Sequence, residues 1–241
     1  MDLIFKGNLF DITKNDIKNY CKKKCEYYDT LSKEYSPRYN ELYSKVTRNI
    51  VRKEYSSKGS EIHRGFYCPS PVQDVVIGNC KRGRLLKNEN KLSSYGFEYG
   101  FDEKDRLIFA RCDEIDNIEF IEYKDNYSIG YRFRTPKSTK PELDSISECF
   151  YDDFGRIILY LFGFCQLYKF GELKYEQFQY NESGIYIDHF VDYVYGIVSY
   201  DSYVFQHNKN GYLSSFDIAN LIDKEKENDN ERHSVKRKRK V

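Results

Sequence analysis

Tyr151-Asp152-Asp153-Phe154-Gly155-Arg156-Ile157 places an aromatic residue, an Asp, two free positions, a Gly, an Arg and an apolar residue in a row. An Asp side chain accepts a bond from the backbone two residues on. A Gly three places later takes the left-handed conformation that closes a type I turn between two strands. Variants of the same pattern stand at Phe101-Asp102-Glu-Lys-Asp105-Arg106-Leu107, Tyr180-Asn181-Glu-Ser-Gly184-Ile-Tyr186 and His207-Asn208-Lys-Asn-Gly211-Tyr-Leu213. A degenerate fifth unit centres on Tyr123-Lys124-Asp125-Asn126-Tyr127.

Around these turns the apolar residues alternate: Phe97, Tyr99 and Phe101 lead into the first turn, and Leu107 and Phe109 lead out. The aromatic lead residues fall at 101, 123, 151, 180 and 207, at spacings of 22, 28, 29 and 27. That length holds two strands and two turns per unit, so residues 97–222 are expected to form an antiparallel meander of about eight to ten strands. Thr135-Pro136 to Lys140-Pro141 is an irregular polar insertion in which two prolines discourage pairing.

Upstream the pattern is helical. Thr13 can cap a helix running to about Tyr35, with Ile17, Tyr20 or Cys21 and Tyr28 on its inner face. Ser36-Pro37 then opens a second helix carrying Tyr39, Leu42, Tyr43, Val46 and Ile50 at three- and four-residue steps, expected to end near Tyr55. Residues 61–96 form a joint in which Val75-Val76-Ile77 reads as a short buried strand. The expected fold is therefore α+β: N-terminal helices over 1–60, the joint, then a large antiparallel β meander of degenerate hairpin repeats. Residues 223–241 form a charged tail without apolar content, expected to be disordered. Its Lys236-Arg-Lys-Arg-Lys240 resembles a nuclear localisation signal and reads equally as a solvating basic run.

The 24 Tyr and 17 Phe suit strands whose rings pack across the sheet, and there is no Trp. No run of apolar residues is long enough to cross a membrane, and Met1-Asp-Leu-Ile-Phe-Lys does not open a secretory signal, so a cytoplasmic protein is expected. Seven scattered Cys read as reduced thiols; Cys21 and Cys25, four apart on a helix, lack the second pair that a metal knuckle needs. The net charge of +1 conceals polarity, with +8 over residues 1–97, −11 over 98–223 and +4 over 224–241.

Four His restrict base-assisted nucleophilic chemistry. His207 occupies the aromatic slot of a turn, His233 lies in the tail, and His63 and Cys68 are set on opposite faces of an extended segment by alternation. The basic group Lys81, Arg82, Arg84 and Lys87 follows Gly78 without a phosphate-loop pattern. Asp102, Glu103 and Asp105, or Asp152 and Asp153, are too closely spaced for a calcium loop and are explained by turn formation. No catalytic residue, metal or cofactor is assigned, and the chain reads as a non-catalytic binding protein. Residues 98–125 hold ten Asp/Glu and four Lys/Arg, a cluster that repels nucleic acid and attracts a basic protein.

The aromatic-Asp-x-x-Gly-Arg-Leu/Ile turn resembles the tyrosine–aspartate repeats of Rhs-type proteins, closest at Tyr151–Ile157 and next at Phe101–Leu107, where Asp105 replaces Gly. The third and fourth copies keep Asn and Gly but lose the Arg, and the resemblance covers about half of the chain. The chain also resembles the small immunity proteins of polymorphic or contact-dependent growth inhibition toxins. That resemblance implies binding of a cognate toxin, often a nuclease, and occlusion of its cleft. Tyr anchors and acidic steering suit a basic toxin partner. The outward side chains of the first two repeats, Glu103, Asp105, Asp113, Glu114 and Asp116, are the expected partner-binding residues. The alternative is a nucleic-acid-associated protein using the basic N-terminal part and tail.

Overall fold

The computed structural model describes residues 14–76, 82–87, 96–135, 140–166, 169–208 and 213–220, and its class is α+β. Helix α1 (Lys14–Tyr35) passes through a 3-10 turn at Ser36–Arg38 into α2 (Tyr39–Arg48). The inner face of α1 is Ile17, Cys21, Cys25, Tyr28 and Leu31, all buried, at the three- and four-residue steps that a single apolar stripe requires. Burial pushes the Cys21 and Cys25 thiols up to about 12, so both pack as small apolar groups. Thr13, the expected cap, and the tail from 221 onward lie outside the described residues.

Among the described residues the strands form one twelve-stranded antiparallel sheet, ordered β12-β11-β10-β9-β8-β7-β6-β5-β4-β3-β1-β2. They are β1 (Arg52–Ser57), β2 (Arg84–Leu85), β3 (Phe97–Phe101), β4 (Leu107–Cys112), β5 (Asn117–Tyr123), β6 (Tyr127–Arg134), β7 (Glu142–Tyr151), β8 (Ile157–Gln166), β9 (Lys169–Asn181), β10 (Gly184–Val194), β11 (Ile197–His207) and β12 (Leu213–Asn220). From β3 onward every strand pairs with its sequence neighbour, which is the expected meander. No helix among the described residues is long and apolar enough to cross a membrane.

The repeat pattern has a fuller explanation than turn formation. Asp102 Oδ1 accepts from the backbone N–H of Lys104 (3.0 Å) and Arg106 (2.9 Å), and Asp152 Oδ1 does the same with Phe154 (3.0 Å) and Arg156 (2.9 Å). Asp105 (φ 59°) and Gly155 (φ 76°) take the left-handed position, and the ladder shifts by one residue beside each turn. The Arg completes the unit in a way that spacing did not disclose. Arg106 and Arg156 return to the second oxygen of their own Asp and lie 4.7 Å from the rings of Tyr123 and Tyr180, the lead aromatics of the following units. Those Tyr hydroxyls donate to the carbonyls of Leu107 and Ile157, the residues just after each Arg. The repeats led by Phe101 and Tyr123, and those led by Tyr151 and Tyr180, are thus clipped to one another by an Asp–Arg–Tyr chain. Burial raises the Asp102 carboxyl, but the Arg106 guanidinium and the backbone donors outweigh it and hold the carboxyl below its usual range. Asp102→Ala is expected to cost on the order of 1 kcal/mol in urea unfolding, the typical net worth of a local charged cap.

Three expectations are corrected. The second helix ends at Arg48, not near Tyr55, and residues 52–57 instead form β1 along the edge of β3. The ladder bonds offered by β3 outweigh helix propensity in Arg-Lys-Glu-Tyr, which has no apolar stripe of its own. The 1–60 segment therefore contributes a strand to the sheet. Val75 and Val76 belong to a helix, α3 (Pro71–Val76), and not to a buried strand; Ile77 lies outside the described residues. The reason is local: Ser70 Oγ accepts from the Gln73 N–H at 3.1 Å and Pro71 takes the first helical position.

Both faces of the sheet are covered. α1 and α2 cross one face, where Tyr35 stacks on Tyr131 at 4.0 Å and Tyr28 meets Phe170 edge-on. Gly163 lies beneath Tyr28, and a Cβ there would stand 2.4 Å from the ring. Residues 58–76 form a strap over the other face. Phe66 and Tyr67 pack on Phe97, Tyr99 and Phe101 near one edge, and Val72 packs on Phe190, Tyr203 and Phe205 towards the other.

Candidate functional site

The meander sorts its turns by end. The motif turns β3–β4, β5–β6, β7–β8 and β9–β10 share one end of the sheet, and the alternate turns share the other. Glu103 and Asp105 are exposed at the motif end; Asp113, Glu114 and Asp116 occupy the β4–β5 turn at the opposite end. Strand β4 separates the two groups by about 20 Å at the usual strand rise. The five expected partner-binding residues therefore fall into two separate groups at opposite ends of the sheet.

The acidic cluster of residues 98–125 is also thinner on the outside than its charge implies. Glu98 holds Lys53 (2.7 Å) and Arg111 (3.1 Å), Asp102 is spent in its turn, Glu122 holds Lys45 (2.7 Å), and Glu119 is buried. Asp105 is paired with Arg52. In the β4–β5 turn, Asp113, Glu114 and the half-buried Asp116 surround Ile115, which is 38% exposed. Asp113 touches Arg111 at 3.2 Å.

Beside that turn α2 leaves a groove of about 440 Å³ on the helix-covered face. Its wall is Tyr43, Thr47 and Ile50, and its floor is Lys53, Tyr55, Glu98, Phe109 and Arg111. Arg111 belongs both to this groove and to the acidic turn, so the two form one continuous surface.

The opposite face holds a buried polar row under the strap. Glu119 Oε1 accepts from Arg64 Nη2 and Ser147 Oγ, both at 2.8 Å. Its Oε2 accepts from Arg64 Nε (3.0 Å) and lies 2.9 Å from His63 Nε2. His63 Nδ1 lies 2.6 Å from the Tyr160 hydroxyl. Gly130 makes the row possible, because a Cβ there would stand 2.0 Å from Glu119 Oε1 and 2.6 Å from Arg64 Nη2. Burial lowers the His63 imidazole to about 4, against the pull of Glu119, so the ring is neutral: Nε2–H donates to Glu119 and Nδ1 accepts from Tyr160. Burial works against the Glu119 carboxylate, but Arg64 and His63 outweigh it and hold it well below the ordinary range. A Tyr–His–Glu chain is able to relay a proton. The row joins strap to sheet, and the cavity beside Arg64 and Glu119 is about 10 Å³, room for no more than one water.

Further along the same face, Glu176 on β9 and Asp188 on β10 are 0% exposed; among the described residues none makes a hydrogen bond of good geometry to their four carboxylate oxygens, and their nearest hydrogen-bonding neighbours are Ser70, beside Glu176, and each other. Burial pushes Glu176 up to about 7 and, together with the neighbouring Glu176 charge, pushes Asp188 well above the carboxylate range.

The remaining expected groups are dispersed. Arg82 donates to the carbonyls of Cys68 and Ser70, Arg84 and Lys87 are exposed, and Lys81 lies outside the described residues. His63 and Cys68 are both buried in the strap, and His63 is committed to Glu119 and Tyr160. Sequence reading missed Arg64, Tyr160, Glu176 and Asp188 as a group. The available signal was charge in phase with buried apolar residues, as at Glu119 beside Ile121 and at Asp188 two residues before Phe190. No family model matches the chain, and neither a curated protein nor a solved structure shows significant similarity to it.

Proposed function

We propose that this chain is a non-catalytic cytoplasmic binding protein of the immunity type, which neutralises a basic toxin by docking it on the end of the sheet formed by the β4–β5 turn. The observation that carries the reading is the β4–β5 turn, where exposed Asp113 and Glu114 and half-buried Asp116 surround Ile115, in a region whose other carboxylates are mostly engaged by the protein's own cations. Such a patch steers a cationic partner, and the adjoining groove with Tyr43 and Tyr55 offers the aromatic anchoring that tight interfaces use. Glu103 and Asp105, at the far end, fall outside the docking surface.

The test is co-expression with any basic toxin that a neighbouring reading frame encodes, scored by growth and by association kinetics. D113K/E114K/D116K is expected to slow association on the order of 100-fold and abolish protection, while E103K/D105K leaves both unchanged. Full protection by the triple variant would remove this surface from consideration. Failure of the wild-type protein to bind any basic toxin would remove the function.

A further inference from the structure

Glu176 and Asp188 are the strongest unexplained feature of the molecule. They point to the strap-covered face from neighbouring strands, one register step apart: Glu176 is opposite Tyr160 and Phe190, and Asp188 is opposite Phe178 and Tyr203. The following described residues surround them. On the strap stand Ser70, fully buried and nearest to Glu176, and Val72; Arg82 follows, with its guanidinium turned to the Cys68 and Ser70 carbonyls. From the sheet come Tyr160, Lys174, Tyr180 and Tyr203. Lys174 and Arg82 are the cations among them, and they act on Glu176 at longer range without forming an ion pair with it.

An ionised carboxylate with no donor in a dry interior is costly, and a pair of them side by side is costlier. The cheapest arrangement of the closed state is two carboxyls that keep their protons. The cover is thin at this point: a six-residue helix and the Cys68–Ser70 turn, with Val72 as the apolar plug.

We propose that Glu176 and Asp188 are a proton-held latch for the 68–76 part of the strap, closed while the pair is protonated and opened when ionisation draws the carboxylates into water. The sign follows from the raised affinity for protons in the folded state. Closure is strongest below the ordinary carboxylate range, near pH 4, and is lost progressively as pH rises through about 7, where Glu176 ionises. The Arg64–Glu119 clasp has the opposite dependence, so the other end of the strap stays docked as the latch opens.

Cys68 supplies the readout, because it lies buried in the strap beside the latch, whereas Cys21 and Cys25 are buried under α1 on the other face. The full chain is pulsed with N-ethylmaleimide at pH 5.5 and pH 8.5, and labelling is mapped by peptide mass. Each rate is divided by the rate of the same thiol in denaturant at the same pH. The normalised Cys68 rate is expected to rise at least tenfold between the two pH values while Cys21 and Cys25 stay protected. Glu176→Gln and E176Q/D188N are expected to flatten that rise, and the single variant serves if the double one fails to fold. A flat Cys68 rate in the wild type, an undiminished rise in Glu176→Gln, or parallel labelling of Cys21 would overturn the latch.

Discussion

Arg64→Met is expected to lower the free energy of unfolding by about 3–5 kcal/mol, the cost of removing one partner from a fully buried ion pair. Arg64 and Glu119 are both sealed from solvent, with side-chain exposures of 5% and 3%. Loss of the guanidinium leaves Glu119 with the His63 ring and Ser147 alone, and it orphans a carboxylate in a space too small to hydrate it. Glu119→Leu alone should cost a comparable amount for the mirror reason. The double variant R64M/E119L should recover a good part of the summed loss, because both charges leave together. Guanidinium melts followed by circular dichroism, compared around this cycle, measure the coupling directly. A near-zero loss in Arg64→Met would mean that the strap is not anchored there. The same pair predicts acid sensitivity: a carboxylate held below its ordinary range contributes stability above about pH 4, lost as pH falls further towards the folded value.

Lys24→Met is expected to cost a similar amount, about 3–5 kcal/mol. Lys24 projects from the inner side of α1 and meets Glu148 of β7 at 2.5 Å, with side-chain exposures of 4% on both partners. The Tyr28 hydroxyl donates to the same carboxylate at 2.8 Å and cannot neutralise its charge. The lysine ammonium also lies 4.9 Å from the centre of the Tyr27 ring, so the substitution forfeits a cation–π contact as well. Adding Glu148→Leu should restore much of the loss, whereas Tyr28→Phe should cost about 1.5–3 kcal/mol, the range for a hydrogen bond to a charged group. The two clasps sit on opposite faces and share no partner, so their effects should add to within about 0.5 kcal/mol. A chain of ordinary stability, about 5–15 kcal/mol, would then be close to unfolded in K24M/R64M. Clear sub-additivity in that variant would show that helices and strap communicate through the sheet.

The candidate docking surface combines charge and shape that no single stretch contains. Asp113, Glu114 and Asp116 are adjacent in sequence, but the groove beside them draws Tyr43 and Thr47 from α2, Lys53 and Tyr55 from β1, and Arg111 from β4. Only the pairing of β1 with β3 brings these side chains together. The count of ten acidic residues over 98–125 overstated the external charge, because strand alternation sends part of any acidic run inward. Glu119 shows the effect: it shares its face with Ile121, so the strap had to supply Arg64 to meet it.

The sequence by itself determined the local chemistry and the elements that this chemistry builds. Asp or Asn with a left-handed residue three places later sets the hairpins at 102–105 and 152–155, two hairpin strands per unit set the meander from β3 to β12, and a three- and four-residue stripe sets the buried face of α1. These are interactions between residues close in the chain, and their spacing is visible in one dimension. Tertiary structure alone decided that residues 52–57 would leave the helix for a strand, that 58–76 would cross the second face, and that Glu119, Glu176 and Asp188 would be sealed from water. Those outcomes depend on partners far apart in sequence, 55 residues for Arg64 and Glu119 and 120 for Tyr28 and Glu148. Burial of a charge is decided by which distant group covers it, and that is settled only when the sheet and its two covers pack.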